Sequence, residues 1–351
     1  MLTGAYCGVM PRLVDAYRRT GADLPFGDPR RAHGVAMEGY FWRFTRPDGT
    51  VVIALCGVNR SPTGQWATLG LAGHPHGFLR TTAHPVADAD SHTLGASAGG
   101  AFLGDTGSLC VDLGPDARLD VVVTDAAPWP HRMFGGSSVF HSIPALNQYW
   151  HPWLLGGTAD GVAILGDRQV DLDGAQVYAE KNWGKGGFPE SWWWGQAQGF
   201  DEPVACVAFA GGDVNVGPLR TEATSVVVRL PDGRVLRLCP PTSRVRTTVT
   251  DETWTLRARS ARWSVDIDGS GPLRGAHVLP VPLPTEHRNV AGAIEHLGAH
   301  MTVRVRHDGR EFWSGTSRLA GLEHGGLDRA QAEVLRRGGH PDAADARPVT
   351  P

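Results

Sequence analysis

The residues best suited to chemistry stand in one run, Tyr178 to Gln196, which reads YAEKNWGKGGFPESWWWGQ. It sets two carboxylates, two amide side chains and two lysines among four tryptophans. A purely structural core would not hold Glu180, Lys181, Asn182 and Gln196 among rings, because each buried polar group left unpaired costs about 1–3 kcal/mol. An aromatic hollow with a few convergent polar groups is the ordinary composition of a small-molecule site. Strand alternation sorts the run. Tyr178, Glu180 and Asn182 share one face, and beyond the Gly- and Pro-containing loop Trp192, Trp194, Gln196 and Gln198 share another. Three adjacent tryptophans cannot all point one way, so at least one packs on the opposite side. Lys181 follows Glu180 directly and faces away from it, which argues against an ion pair between the two.

The elements that must position this run read as strands. Glu38–Thr45 and Val51–Cys56 are joined by Arg46-Pro47-Asp48-Gly49, a hairpin signal. Strand patterns recur at 108–113, 119–124, 161–165, 168–172 and 176–181. Beyond the tryptophans they recur at 205–210, 224–230, 234–238, 246–250, 253–260, 263–268, 301–307 and 311–314. With 46 glycines and 25 prolines and no sustained βαβ alternation, the expected fold is all-β, built of barrels or sandwiches. Helical pattern is confined to a short stretch at Met10–Arg19 and an amphipathic one at Leu327–Arg337. The length of 351 residues suits two domains, expected at 1–195 and 196–326, followed by a C-terminal helix and flexible tail at 327–351. The tryptophan run then lies near their junction, where ligand clefts are common.

Bulk properties exclude several classes. The net charge of −3 and the lack of a basic run argue against a nucleic-acid partner. The five cysteines are scattered with no CxxC pair, as expected of reduced thiols in a cytoplasmic protein. No zinc-type spacing appears, and His74 and His76 flank Pro75 without nearby thiol or carboxylate partners, so no metal is expected. The start MLTGAYCGVMPRLVDAYRR lacks the pattern of a signal peptide, and no stretch reaches the ~18 apolar residues of a membrane span. A lipid substrate would be met from solution or by peripheral contact at a membrane surface.

The string EKNWGKGGFPESWWWGQ resembles the tocopherol cyclases of plants and cyanobacteria, which carry an EKNWG run, a Gly-rich loop and an FPxxWxWxQ segment. Two further stretches resemble that family in the same order: Glu38–Thr45, an EGW-like aromatic strand, and Ser317–Gly326, an SxxAGxExGG segment. Together they span most of the chain. Tyr40-Phe41 stands where the family often has Trp, and the region from Gly73 to Ala101 matches nothing in it. The family is similar in turn to carotenoid hydratases and other proteins made of two lipocalin-like β domains packed together.

The resemblance implies ring closure. An alkene in a prenyl chain is protonated, and a phenol oxygen captures the tertiary cation to give a chroman-type ring. No redox cofactor and no metal are required. The acid must be a carboxylic acid kept neutral by burial. Glu180, Glu38 and Glu323 are the candidates. Trp183, Trp192 and Trp194 are candidates for shielding the cation through their ring faces, worth ~0.5–2 kcal/mol each, with Tyr40 and Trp42 as an opposite wall and Tyr178 beside them. Asn182, Gln196 or a histidine would orient the phenol and accept its proton. Of the 15 histidines, His141 is favoured because it stands near the aromatic stretch Asn147–Trp150. The substrate expected is an apolar prenylated small molecule. Two other readings use the same pocket: a hydratase of a polyprenyl or carotenoid chain, and a carrier without catalysis. A carrier has no need of carboxylates among the rings.

Overall fold

A computed structural model describes residues 9–186, 188–216 and 218–349. Aromatic and β-branched strands join into two antiparallel sheets, of 13 and 10 strands among the described residues. The strands of the first sheet run from Met37 to Gly184, and those of the second from Trp192 to Gly325. The first expected hairpin is present: Met37–Thr45 (β1) pairs with Val51–Ser61 (β2). On its other side β1 pairs along its whole length with Ala175–Gly184.

Each sheet curls round its own apolar core. Phe78 and Ala89, from opposite ends of the first sheet, meet in one cluster with Trp42, Phe44 and Trp153. Leu238 and Val245, from opposite ends of the second, share a cluster with Trp254 and Met301. Each fully buried large side chain of this kind contributes about 1.5–3 kcal/mol. The fold is therefore all-β, two lipocalin-like units packed together with the short helix Leu327–Arg336 near the C-terminus.

The expected strands are present, and several run longer. The strand expected at 301–307 begins at Arg288, and the one expected at 311–314 continues to Gly325. Seven strands were not expected: Gly64–His74, Phe78–His84, Asp88–Ala89, Ala96–Ala98, Phe102–Gly104, Tyr149–Leu154 and His277–Leu283. Tyr149–Leu154 and the middle of Gly64–His74 are buried on both faces, so they lack the polar–apolar alternation that marks a half-exposed strand. The segment after Gly339, expected to be flexible, pairs instead. Ala346 bridges Val278 by reciprocal backbone bonds of 2.8 and 3.1 Å. Cys56, Cys110, Cys206 and Cys239 are free thiols, and Cys7 lies outside the described residues. Among the described residues no helix is long and apolar enough to cross a membrane.

Six more strands carry the site. They are β3 (Tyr149–Leu154), β4 (Ala175–Gly184), β5 (Trp192–Ala197), β6 (Cys206–Val216), β7 (Arg288–His307) and β8 (Arg310–Gly325). Residues opposite one another in an antiparallel pair share a face. Along β1 and β4 the pairs Tyr40–Lys181, Trp42–Ala179 and Phe44–Val177 face the first core. The alternate pairs Gly39–Asn182, Phe41–Glu180 and Arg43–Tyr178 face the second sheet. There they meet β5, whose Trp192 and Trp194 pair with Gly325 and Glu323 of β8. Trp193 points the other way, into the second core, and donates to Thr224 Oγ1 at 3.0 Å.

Candidate active site

A cavity lies between the two sheets, with walls supplied by both. Glycines open it. Gly39 and Gly57 stand opposite each other on β1 and β2, and Gly211 and Gly212 on β6 lie along the far wall. A Cβ on Gly39 would come within 2.3 Å of Asn182 Oδ1, so the bare backbone is what lets that amide lie against the wall. Rings supply most of the rest: Phe41 and Trp150 from the first sheet, Trp192 and Trp194 from the second.

Three glutamates line the same cavity, Glu180 on β4, Glu295 on β7 and Glu323 on β8. Glu180 Oε2 accepts three hydrogen bonds, from Tyr178 Oη at 2.5 Å, Trp194 Nε1 at 2.7 Å and Trp150 Nε1 at 2.8 Å. No cation pairs with it among the described residues, and its Oε1 receives no hydrogen bond from them. Burial pushes its pKa up to about 7 against the pull of those three donors. Near neutral pH the carboxylic acid is therefore a major form of this group, with Oε2 held by three donors. Glu323 accepts a hydrogen bond from Trp192 Nε1, and burial together with the charge of Glu180 lifts its pKa to about 7. Glu295 stands directly opposite Glu323 in the β7–β8 pair. Burial raises it well above the ordinary range, Glu323 raises it further, and its Oε1 has no partner. Beneath them Arg43 donates through Nη2 to the carbonyls of Leu297 and Leu319, while its Nε and Nη1 remain unpartnered. Burial lowers Arg43 to about 10.

The match to known proteins follows this architecture. Residues 118–326, which include Glu180, Trp192, Trp194, Glu295 and Glu323, match the profile of the tocopherol cyclase-like family. The chain belongs to the tocopherol cyclase-like family. Among curated relatives, the protein of Oryza sativa subsp. japonica named "Probable tocopherol cyclase, chloroplastic" is 30% identical over 107 residues, 30% of this chain. That match spans 23% of the rice protein's own length. The crystal structure of CghA with Sch210972 is 13% identical with a TM-score of 0.55, over 84% of this chain and 89% of that one. A candidate AttH of Nitrosomonas europaea is 12% identical with a TM-score of 0.51, over 88% of this chain and 98% of that one. At such identities the likeness is one of fold.

Of the site residues expected from sequence, this family member brings Glu180, Asn182, Glu323, Trp192 and Trp194 to the cavity wall, while Tyr40 borders it with its ring turned into the first core. Tyr178 lies behind the wall and acts on Glu180 through its hydroxyl. The structure corrects the others. Glu38 lies on the opposite face of the same sheet. Its Oε2 pairs with Lys181 Nζ at 2.8 Å and its Oε1 with Arg60 Nη1 at 2.6 Å, and the backbone N–H groups of His33 and Gly34 donate to it. Burial alone would raise it, but Lys181, then His33 and Arg60, hold it well below the usual carboxylate range. A carboxylate so held has no proton to give. Trp42 is inside the first core. Trp183 stacks between His33 and Tyr149 and donates to the carbonyl of Gly21 at 2.7 Å. His141 is buried in a 3-10 turn with Nε2 on the carbonyl of Trp150 at 2.9 Å. Gln196 lies off the cavity, its amide nitrogen 3.6 Å from Cys206 Sγ. Sequence reasoning missed Glu295, Arg43 and Trp150. The signal for Glu295 was present as one carboxylate inside the apolar run Val290–Leu297, and for Arg43 as a lone cation within Tyr40–Phe44.

Proposed function

We propose that this member of the tocopherol cyclase-like family closes a chroman-type oxygen ring on a prenylated aromatic substrate. Glu180 protonates an alkene of the prenyl chain, and a phenol oxygen captures the resulting tertiary cation. Membership of the family supports an enzyme of that general kind. The observation that carries the specific reading is the setting of Glu180: a buried carboxyl lining an aromatic hollow, anchored by uncharged donors through one oxygen only, with its pKa raised to about 7. Carbon is a weak base, so its protonation needs an acid that is undissociated in the resting enzyme and a setting that excludes water as a competing acceptor. Phe41, Trp150, Trp192 and Trp194 supply that setting, and their ring faces attract the developing cation. Neither a metal nor a redox group enters this scheme.

The test is product analysis with geranyl- and farnesyl-hydroquinone. Ring closure yields an isomer of unchanged mass. In D₂O one deuterium enters at the carbon next to the new C–O carbon. A product heavier by one water would assign a hydratase, and unaltered ligand after prolonged incubation would assign a carrier. An isomer without deuterium would overturn alkene protonation.

A further inference from the structure

Glu180 alone accounts for giving a proton. The reaction must also take one away, because the phenol loses its hydrogen as its oxygen closes on the cation. Glu180, once ionised, could take that proton itself only if the phenol O–H lay on the same side of the chain as the alkene's new C–H. The opposite wall holds two carboxyl groups for which the scheme has so far given no role.

Glu295 and Glu323 are cross-strand partners, and both line the cavity. Facing residues at this register have Cβ atoms roughly 4.5–5.5 Å apart, within reach of a shared proton between carboxyl groups. One oxygen of Glu323 is fixed by Trp192 Nε1, and one oxygen of Glu295 is buried without a partner. Arg43 adds a buried positive charge with no carboxylate within ion-pair distance among the described residues. A medium of low polarity disfavours net charge, so one cation beside three carboxyls favours a single carboxylate among them. Arg43 acts on Glu295. Burial and the neighbouring Glu323 nonetheless hold Glu295 as an acid, so the charge that the pair carries falls on Glu323, one oxygen of which Trp192 Nε1 holds.

We propose that Glu295 and Glu323 form one proton-sharing pair that accepts the phenolic proton, so that donor and acceptor stand on opposite walls of one cavity. This rests on the cyclase reading above. The balance is complete. Glu180 O–H breaks as C–H forms at the alkene, leaving a tertiary cation. The C–O bond forms as the phenol O–H breaks, and its proton passes to the pair. A proton then returns from the pair, directly or through water, to the Glu180 carboxylate. Nothing is oxidised or reduced, and the product is an isomer.

The experiment compares E180Q, E323Q and the double variant E295Q/E323Q with the wild-type protein, using geranyl- and farnesyl-hydroquinone in D₂O. Thermal melting establishes that each variant is folded. Removing the acceptor should lower ring closure by about a hundredfold or more while protonation continues. Substrate recovered from E295Q/E323Q should then carry deuterium in its prenyl chain, because the uncaptured cation returns to alkene. E180Q should leave recovered substrate unlabelled. Trp192→Phe, which keeps a ring but removes the hydrogen bond to Glu323, should fall between wild type and E323Q. Ring closure by the double variant within threefold of wild type would overturn the pair. So would an unlabelled substrate pool from the double variant, since the pair would then act on the donor step. Normal turnover by E180Q would sink the cyclase reading instead, as would the absence of both isomer and label from the wild-type protein.

Discussion

Glu38 and Glu180 sit in neighbouring paired strands of one sheet, both buried, with opposite fates. Glu38 meets Lys181, Arg60 and two backbone N–H groups and is held as a carboxylate. Glu180 meets a phenol and two indoles and is held near neutrality as an acid. Burial acts on both in the same direction. What separates them is whether a cation lies within ion-pair distance, as Lys181 and Arg60 do for Glu38. Lys181, adjacent to Glu180 in the chain, turns to the other side and serves Glu38. The pleat thus sorts one charge pair into a structural buttress and leaves one acid free for chemistry.

The comparison can be broken by making each carboxyl neutral in turn. Glu180→Gln keeps the shape and leaves an oxygen for the three donors. It should lower turnover by about 10²- to 10⁴-fold, measured as kcat on a prenylated hydroquinone, with the melting temperature near wild type. Glu38→Gln strands Lys181 as a buried unpaired cation and should cost about 3–5 kcal/mol of stability in urea unfolding. Full activity in the first variant, or an unchanged unfolding curve in the second, would erase the distinction.

Titration sharpens it, because the two groups respond to pH with opposite sign. Glu38 is depressed in the folded state. Its contribution is present above the unfolded carboxyl value of about 4.3 and is lost as the pH falls below that toward its folded value. Glu180 is raised to about 7, so the folded state binds the extra proton. Its contribution is full below about 4.3 and is lost as the pH rises through 7. Subtracting the stability–pH curve of each Gln variant from that of wild type should reveal slopes of opposite sign. Activity should fall above pH 7 as Glu180 ionises.

The smallest expected effect concerns a single donor. Trp194→Phe removes one of the three hydrogen bonds to Glu180 and keeps the ring edge against Phe41. Those bonds favour the ionised form, each worth about 1 kcal/mol, so losing one should move the alkaline fall in activity upward by less than about one pH unit. A shift to lower pH would mean that the indole holds the neutral acid.

Much of this was legible in the chain. The hairpin of β1 and β2 and most of the second sheet follow from alternation and turn residues such as Arg46–Gly49. The faces of Tyr178, Glu180 and Asn182 follow from the same period of two. Strands buried on both sides, such as Tyr149–Leu154, escaped because nothing polar marks their outer face. Trp150, one of the three donors to Glu180, went with them.

By itself the sequence determined a set of strands, an aromatic and polar run, and its resemblance to a family, because these depend on neighbours one to four residues apart. Only the tertiary structure decided which faces meet. Packing β4 of one sheet against β5, β7 and β8 of the other puts Glu295 and Glu323 beside the same hollow as Glu180 and leaves Glu38 behind the wall. Protonation state follows from that packing, since desolvation and the nearest charge are set by strands distant in the chain.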